Sequence, residues 1–157
     1  MKTVMIVIFL LAALLVILLL IMTRPKRQKS AIKIDDIKTI LMQVEAGEAD
    51  WDFIGIISSA VDCLYFVPKN GRYNLEFEAM TSDQVPYIDR LGTFCRSNNI
   101  KFTVDTYGNK PHYPSNEPAP VIRMQFNASM NSIINIAKQI QREVFNNNDD
   151  TVYEIVP

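Results

Sequence analysis

The chain has 157 residues, of which 48% are hydrophobic, and its 16 basic and 17 acidic residues leave a formal charge of −1. All acidic residues but only eleven basic ones lie after residue 30, so residues 31–157 carry a formal charge of −6, which argues against binding to phosphate backbones. These 127 residues suffice for one hydrophobic core but not two, and two cysteines without a C-x-x-C spacing exclude a disulfide framework.

The first element predicted is a membrane anchor from Val4 to Met22. This run has nineteen residues and none is charged, polar, Gly or Pro. As a helix it is about 28 Å long, which matches the hydrocarbon core of a bilayer. A cleaved signal peptide is the alternative, but the run ends in bulky residues where cleavage needs small ones. We therefore predict an uncleaved transmembrane helix within residues 1–23.

The basic residues beside this run predict its orientation. Four follow it, at Arg24, Lys26, Arg27 and Lys29, whereas only Lys2 precedes it. Because basic flanks stay on the cytoplasmic side, we predict a bacterial inner-membrane protein with its C-terminal domain in the cytoplasm. A periplasmic domain is the alternative. Residues 24–33 are then a basic juxtamembrane linker, and residues 34–157 are a soluble α+β domain.

The first elements of this domain differ in clarity. Ile34, Ile37, Leu41 and Val44 recur at helical spacing and predict a helix that Gly47 can close. Residues 50–61 fit a second helix or a strand. We favour the helix, because the Ser-Ser-Ala run that follows the isoleucines forms strands poorly.

A β-hairpin is the clearest local signal. A strand from Asp62 to Val67 is followed by Asn70-Gly71, a dipeptide that supplies positive φ at both central positions of a type I′ turn. From Arg72 to Met80 the residues alternate strictly between apolar and polar. This alternation predicts a strand with one buried face and one wet face.

The remaining elements repeat a strand–strand–helix order. A helix follows the Thr81–Gln84 capping box, and strands are predicted at 100–107 and 121–128. A last helix covers about 130–145 with Ser129 as its cap, and the tail from Thr151 can form a short edge strand. The predicted fold is therefore α+β, with an antiparallel four-stranded sheet of ββαββα order and helices packed on one face.

Two regions are candidate binding surfaces. The wet face of the second hairpin strand carries Arg72, Asn74, Glu76 and Glu78. The proline-rich segment 108–120 reads as a long loop and, with the residue before it, carries Tyr107, His112 and Tyr113; long loops often bind ligands. No catalytic residue, metal site or cofactor is predicted. In a cytoplasmic domain both Cys63 and Cys95 are expected to be buried and reduced, whereas in a periplasmic domain they could pair.

Two functions of different classes follow. The first is a non-enzymatic, membrane-tethered domain that binds a protein, either as an inhibitor or immunity protein against a toxin or as an accessory subunit of a secretion, division or envelope complex. The acidic charge is compatible with a basic partner, and a free sheet edge leaves homodimerisation open. The alternative is a membrane-anchored hydrolase that uses His112 in the 108–120 loop.

Overall fold

A computed structural model describes residues 31–49, 51–111, 114–115 and 117–156. These residues form one antiparallel sheet of seven strands in the order β1-β7-β2-β3-β4-β6-β5 and three α-helices. The strands are β1 Ala31–Ile32, β2 Ile54–Ile57, β3 Leu64–Lys69, β4 Arg72–Glu78, β5 Lys101–Pro111, β6 Pro118–Gln125 and β7 Tyr153–Val156, and the helices are α1 Ile37–Glu45, α2 Val85–Ser97 and α3 Met130–Glu143.

The predicted four-stranded sheet of ββαββα order is wrong. Three strands outside that plan, β1, β2 and β7, extend the sheet beyond β3. The C-terminal strand is not at an edge, because β7 pairs with β1 on one side and with β2 on the other. These pairings join residues far apart in the chain, so no local periodicity reports them.

The helix favoured within residues 50–61 is also wrong, since this segment contains β2. Ile54 pairs with Phe66 and Ile56 pairs with Leu64, and both isoleucines are fully buried. A short apolar run reads alike as a buried helix or a buried strand, and here the pairing with β3 decides.

The predicted hairpin is confirmed. Asn70 and Gly71 have φ angles of 53° and 72°, the left-handed values that a two-residue turn of this kind requires. β3 and β4 pair from Lys69 and Arg72 at the turn onward. Alternate β4 side chains, Tyr73, Leu75 and Phe77, are buried.

Local sequence signals set the helix ends. Gly47 follows α1 with a φ of +68°, which ends a helix without steric strain. Pro86 lies in the first turn of α2, where its missing N–H is not needed. The Ser129 side chain accepts a hydrogen bond from the Ser132 N–H and caps α3.

All three helices cover the same face of the sheet. The Tyr73 hydroxyl donates a 3.0 Å hydrogen bond to the carbonyl oxygen of Leu41 in α1. The Phe77 ring lies 5.5 Å from that of Phe145, just after α3. Gly92 of α2 faces the ring of Phe102 in β5. These contacts place the core between this face and the helices. Each large side chain buried there contributes about 1.5–3 kcal/mol to folding.

Within the described residues no helix combines the length and hydrophobicity needed to cross a membrane. The predicted localisation in a bacterial inner membrane is not supported by this finding. The predicted anchor at 4–22, with most of the linker at 24–33, lies outside the described residues.

Candidate protein-binding face

The face of the sheet opposite the helices, here called the open face, carries the alternate side chains of each strand. The contacts of the three described helices given above are all with the other face. The register places Gly55 beside both Tyr65 and Val156, and Glu76 beside Arg123. The half of the open face on β2, β3 and β7 is mainly apolar, apart from a glutamate on β7, and the half on β4, β6 and β5 is mainly charged, apart from a fully buried valine on β6.

The apolar half contains five side chains that strand alternation and the Phe53–Tyr65 ring contact place on the same face, here called the apolar patch: Phe53, Ile57, Tyr65, Val67 and Val156. The rings of Phe53 and Tyr65 meet edge to face, with centroids 6.0 Å apart. Phe53 remains 41% exposed. An aromatic pair held on a rigid sheet is a preformed contact for an apolar partner surface.

Because Gly55 has no side chain, the Tyr65 ring can lie against the backbone of β2. A Cβ atom at Gly55 would lie 2.8 Å from two carbons of the Tyr65 ring and 2.7 Å from Val156 Cγ2. The ring and the valine thus lie directly on the backbone of β2. Any side chain at position 55 displaces them, so the shape of the patch depends on this residue.

The charged half is organised by one guanidinium group. Arg123 Nε lies 3.4 Å from Glu76 Oε2, and Arg123 Nη1 lies 3.2 Å from Asp105 Oδ2. These three residues, here called the Arg123 cluster, link β4, β6 and β5. The Asp105 side chain is 67% exposed, so each pair contributes at most about 1 kcal/mol to stability. The cluster presents charges at defined positions on the open face.

The structure separates the four residues predicted on the second hairpin strand. Glu76 lies on the open face and is partly buried against Arg123. Glu78 shares that face by strand alternation, and Arg72 is exposed at the hairpin turn. Asn74 is 7% exposed and accepts a 3.3 Å hydrogen bond from the Phe126 N–H. Asn74 therefore stabilises the backbone after β6 and is not an exposed contact residue.

The second predicted region, the loop 108–120, is largely strand. β5 continues to Pro111 and β6 starts at Pro118, and these two prolines are paired. Tyr107 falls within β5. His112 and Tyr113 lie outside the described residues. Their suggested roles in binding or hydrolysis stay predictions.

Sequence reasoning missed a buried polar cluster centred on Asp62, which is 1% exposed. Its carboxylate accepts hydrogen bonds from the N–H groups of Ser58 and Ser59 at 3.0 and 2.8 Å and from Asn147 Nδ2 at 2.7 Å. The Ser58 hydroxyl also donates to it. Gln141 Nε2 donates to the Asp62 carbonyl at 3.1 Å. These five residues are here called the Asp62 cluster.

Burial alone would raise the pKa of the Asp62 carboxyl, but hydrogen bonds from Ser58, Asn147 and Ser59 outweigh it and hold the pKa below its usual value. With four donors directed at it, this carboxylate is saturated. Through these bonds Asp62 joins the β2–β3 turn to the segment after α3. Because all its acceptor positions are occupied, Asp62 is not available as a catalytic base. No common turn motif predicts this cluster, because an Asx turn bonds a backbone group that follows the Asp, whereas Asp62 accepts from N–H groups that precede it.

The cysteines behave as predicted. Cys63 and Cys95 are buried free thiols, and burial raises the pKa of each to about 11. The raised pKa disfavours the thiolate, so neither cysteine has the surroundings of an activated nucleophile. The described residues contain no group of three His, Cys, Asp or Glu side chains placed to hold a metal ion.

Compared with family models, with curated proteins and with solved structures, the chain matches none. Inferences about its function therefore depend on the geometry of the described residues.

Proposed function

We propose that the chain is a non-enzymatic protein-binding domain that uses the open face of its sheet. The observation that carries this proposal is that the partly exposed Phe53–Tyr65 pair and the Arg123 cluster share the face opposite the described helices. On the other face, most of the apolar side chains are buried beneath the helices, whereas Val104 at the β5 edge is exposed.

The chemistry of the open face suits a protein ligand. Aromatic residues and arginine are enriched among the residues that dominate binding energy in protein interfaces. Phe53 and Tyr65 offer two mutually supporting rings. Arg123, held between two acids, offers donors whose orientation is set before a partner arrives. A preorganised surface loses little side-chain entropy on binding.

The overall charge favours a basic partner. Residues 31–157 carry a formal charge of −6, which attracts cationic surfaces and speeds encounter with them. The same charge also keeps an unbound domain soluble. Two partner classes fit this proposal, namely a basic toxin that the domain inhibits and a neighbouring subunit of a larger assembly.

The hydrolase alternative requires His112 to stand beside a carboxylate in a cleft. His112 lies outside the described residues. No observation among the described residues favours hydrolysis.

Site-specific photocrosslinking tests the proposal. The crosslinking amino acid p-benzoylphenylalanine replaces Phe53, whose ring it resembles, and the cells that make the protein are irradiated. We expect a discrete adduct whose partner is identified by mass spectrometry. Met42 is the matched control position, because it is also an exposed apolar residue, at 54% exposure, but lies on α1.

A second substitution makes the result specific to this face. In the Phe53 crosslinking background, Arg123→Glu should lower the adduct yield about fivefold or more, because it reverses the charge at the centre of the surface. Equal adducts from Phe53 and Met42, or no adduct from a folded protein labelled at Phe53, would contradict the proposal.

A further inference from the structure

The two edges of the sheet differ in their capacity to pair with another strand. β1 forms one edge and has only two residues, Ala31 and Ile32. β5 forms the other edge and runs for eleven residues. Among the described strands β5 pairs with β6 alone, and this pairing is regular from Lys101 to Thr106. A long regular edge leaves a row of backbone N–H and C=O groups for another chain.

The side chains of this edge segment are accessible. Lys101, Thr103, Asp105 and Thr106 are exposed, and Val104 is 53% exposed although its strand position turns it toward the helix side. An exposed valine beside an unpaired backbone is the kind of edge that proteins normally block with proline or a bulge. The first irregularity of β5 comes only after Thr106.

The segment is complementary to itself. In an antiparallel pair centred on Thr103, Lys101 of each copy stands opposite Asp105 of the other. The same register places Phe102 opposite Val104, and Thr103 opposite itself. Opposite charges, an aromatic with a β-branched residue, and two threonines are all favourable cross-strand pairs. The two Lys101–Asp105 pairs therefore favour this register over antiparallel registers shifted by two residues, which lose both pairs.

We propose that two copies of the chain associate through β5 in this register and form one continuous sheet across a two-fold axis. Phe102 of each copy then covers the exposed side of Val104 in the other. The dimer does not rest on the proposed function, because it uses the backbone edge of β5 and not the apolar patch, although Asp105 of this edge also belongs to the Arg123 cluster.

Asp105 can bind Lys101 of the other copy in addition to Arg123 of its own chain. One of its carboxylate oxygens takes a 3.2 Å bond from Arg123, and the other takes a 2.9 Å bond from the Thr106 N–H. The side chain is nevertheless 67% exposed, so free lone pairs face solvent. Because the pairs are solvent-exposed and Arg123 shares the carboxylate, we expect a reversible dimer that weakens in high salt.

Disulfide trapping of the full chain in cells tests the proposal. Across a two-fold axis at Thr103, the two Cα atoms of that residue come within about 4.5–5.5 Å, which allows a disulfide. Thr103→Cys should therefore give a covalent dimer on a non-reducing gel after mild oxidation. Thr106→Cys is the matched control, because in this register its two copies lie about 20 Å apart.

Charge exchange then tests the register. In the Thr103→Cys background, Lys101→Asp should lower the dimer yield about fivefold or more, and adding Asp105→Lys should restore it by rebuilding the pairs with reversed sign. If Thr103→Cys fails to fold, the Lys101→Cys/Asp105→Cys chain replaces it, since these positions face each other across the same axis. Absence of a covalent dimer from a folded chain, or equal yields from Thr103→Cys and Thr106→Cys, would overturn the proposal.

Discussion

The Asp62 cluster and the Arg123 cluster are both built from charged side chains that join separate elements, yet their surroundings differ. Asp62 is 1% exposed and accepts four hydrogen bonds at a part-buried site, although its donors Ser58 and Ser59 lie at the surface. The Arg123 side chain is 31% exposed and pairs with an acid that is 67% exposed. Removing the Asp62 carboxylate takes the acceptor from four donors at a part-buried site, whereas water readily replaces the more exposed ion pairs of Arg123. One cluster therefore stabilises the fold, and the other is free to meet a partner.

The largest effect is expected at Asp62. Asp62→Ala removes the acceptor for two backbone N–H groups and the Asn147 amide, and we expect the free energy of unfolding to fall by about 3 kcal/mol. Urea denaturation followed by circular dichroism measures it. Asp89→Ala, at an exposed position in α2, should change it by less than about 0.5 kcal/mol. Similar values for both variants would remove the distinction between the clusters.

The pH dependence of stability should report the same carboxylate. Because the folded-state pKa of Asp62 lies below its usual value, the unfolded chain binds more protons there as the solution becomes acidic. The stabilisation is complete above the unfolded pKa of about 3.9 and is lost as the pH falls through the folded value. The stability advantage of the unsubstituted chain over Asp62→Asn should therefore shrink below about pH 4. A constant difference from pH 7 to pH 2.5 would show that Asp62 does not titrate in this way.

A smaller effect is expected on the apolar half of the open face. Gly55→Ala places a Cβ at 2.7–2.8 Å from Val156 and the Tyr65 ring, and we expect a loss of about 1–3 kcal/mol in thermal or urea unfolding. Gly92→Ala is the control, because a Cβ there meets its neighbours at 3.5 Å within α2. That change should be neutral or stabilise by up to about 1 kcal/mol. Equal tolerance at both sites would mean that the Tyr65 ring is not seated on β2.

The smallest effect on stability is expected at Arg123. Arg123→Gln removes two partly exposed ion pairs and should lower the free energy of unfolding by about 1 kcal/mol or less, with the difference fading in 1 M salt. Parallel urea titrations at low and high salt measure this. A loss as large as that at Asp62, unaffected by salt, would show that the Arg123 cluster is part of the folding core.

Local features of the chain were largely determined by the sequence. The Asn70-Gly71 turn, the alternation of β4, the Ser129 cap and the burial of both cysteines all depend on residues close in the chain. Each involves a conformational preference or a periodicity that acts over a few residues. Such preferences do not depend on contacts with distant segments, so they can be predicted from the sequence without knowing the fold.

The extent of the sheet and the composition of its open face were decided by tertiary structure alone. Whether Ile54–Ile57 is strand or helix depends on β3 beside it, and β7 finds its place between β1 and β2 only after the chain has folded back. The Asp62 cluster joins residues 85 positions apart, and Arg123 meets its two acids only through the β4-β6-β5 order. Long-range pairing is set by the burial of the whole core, and no local window of sequence contains it.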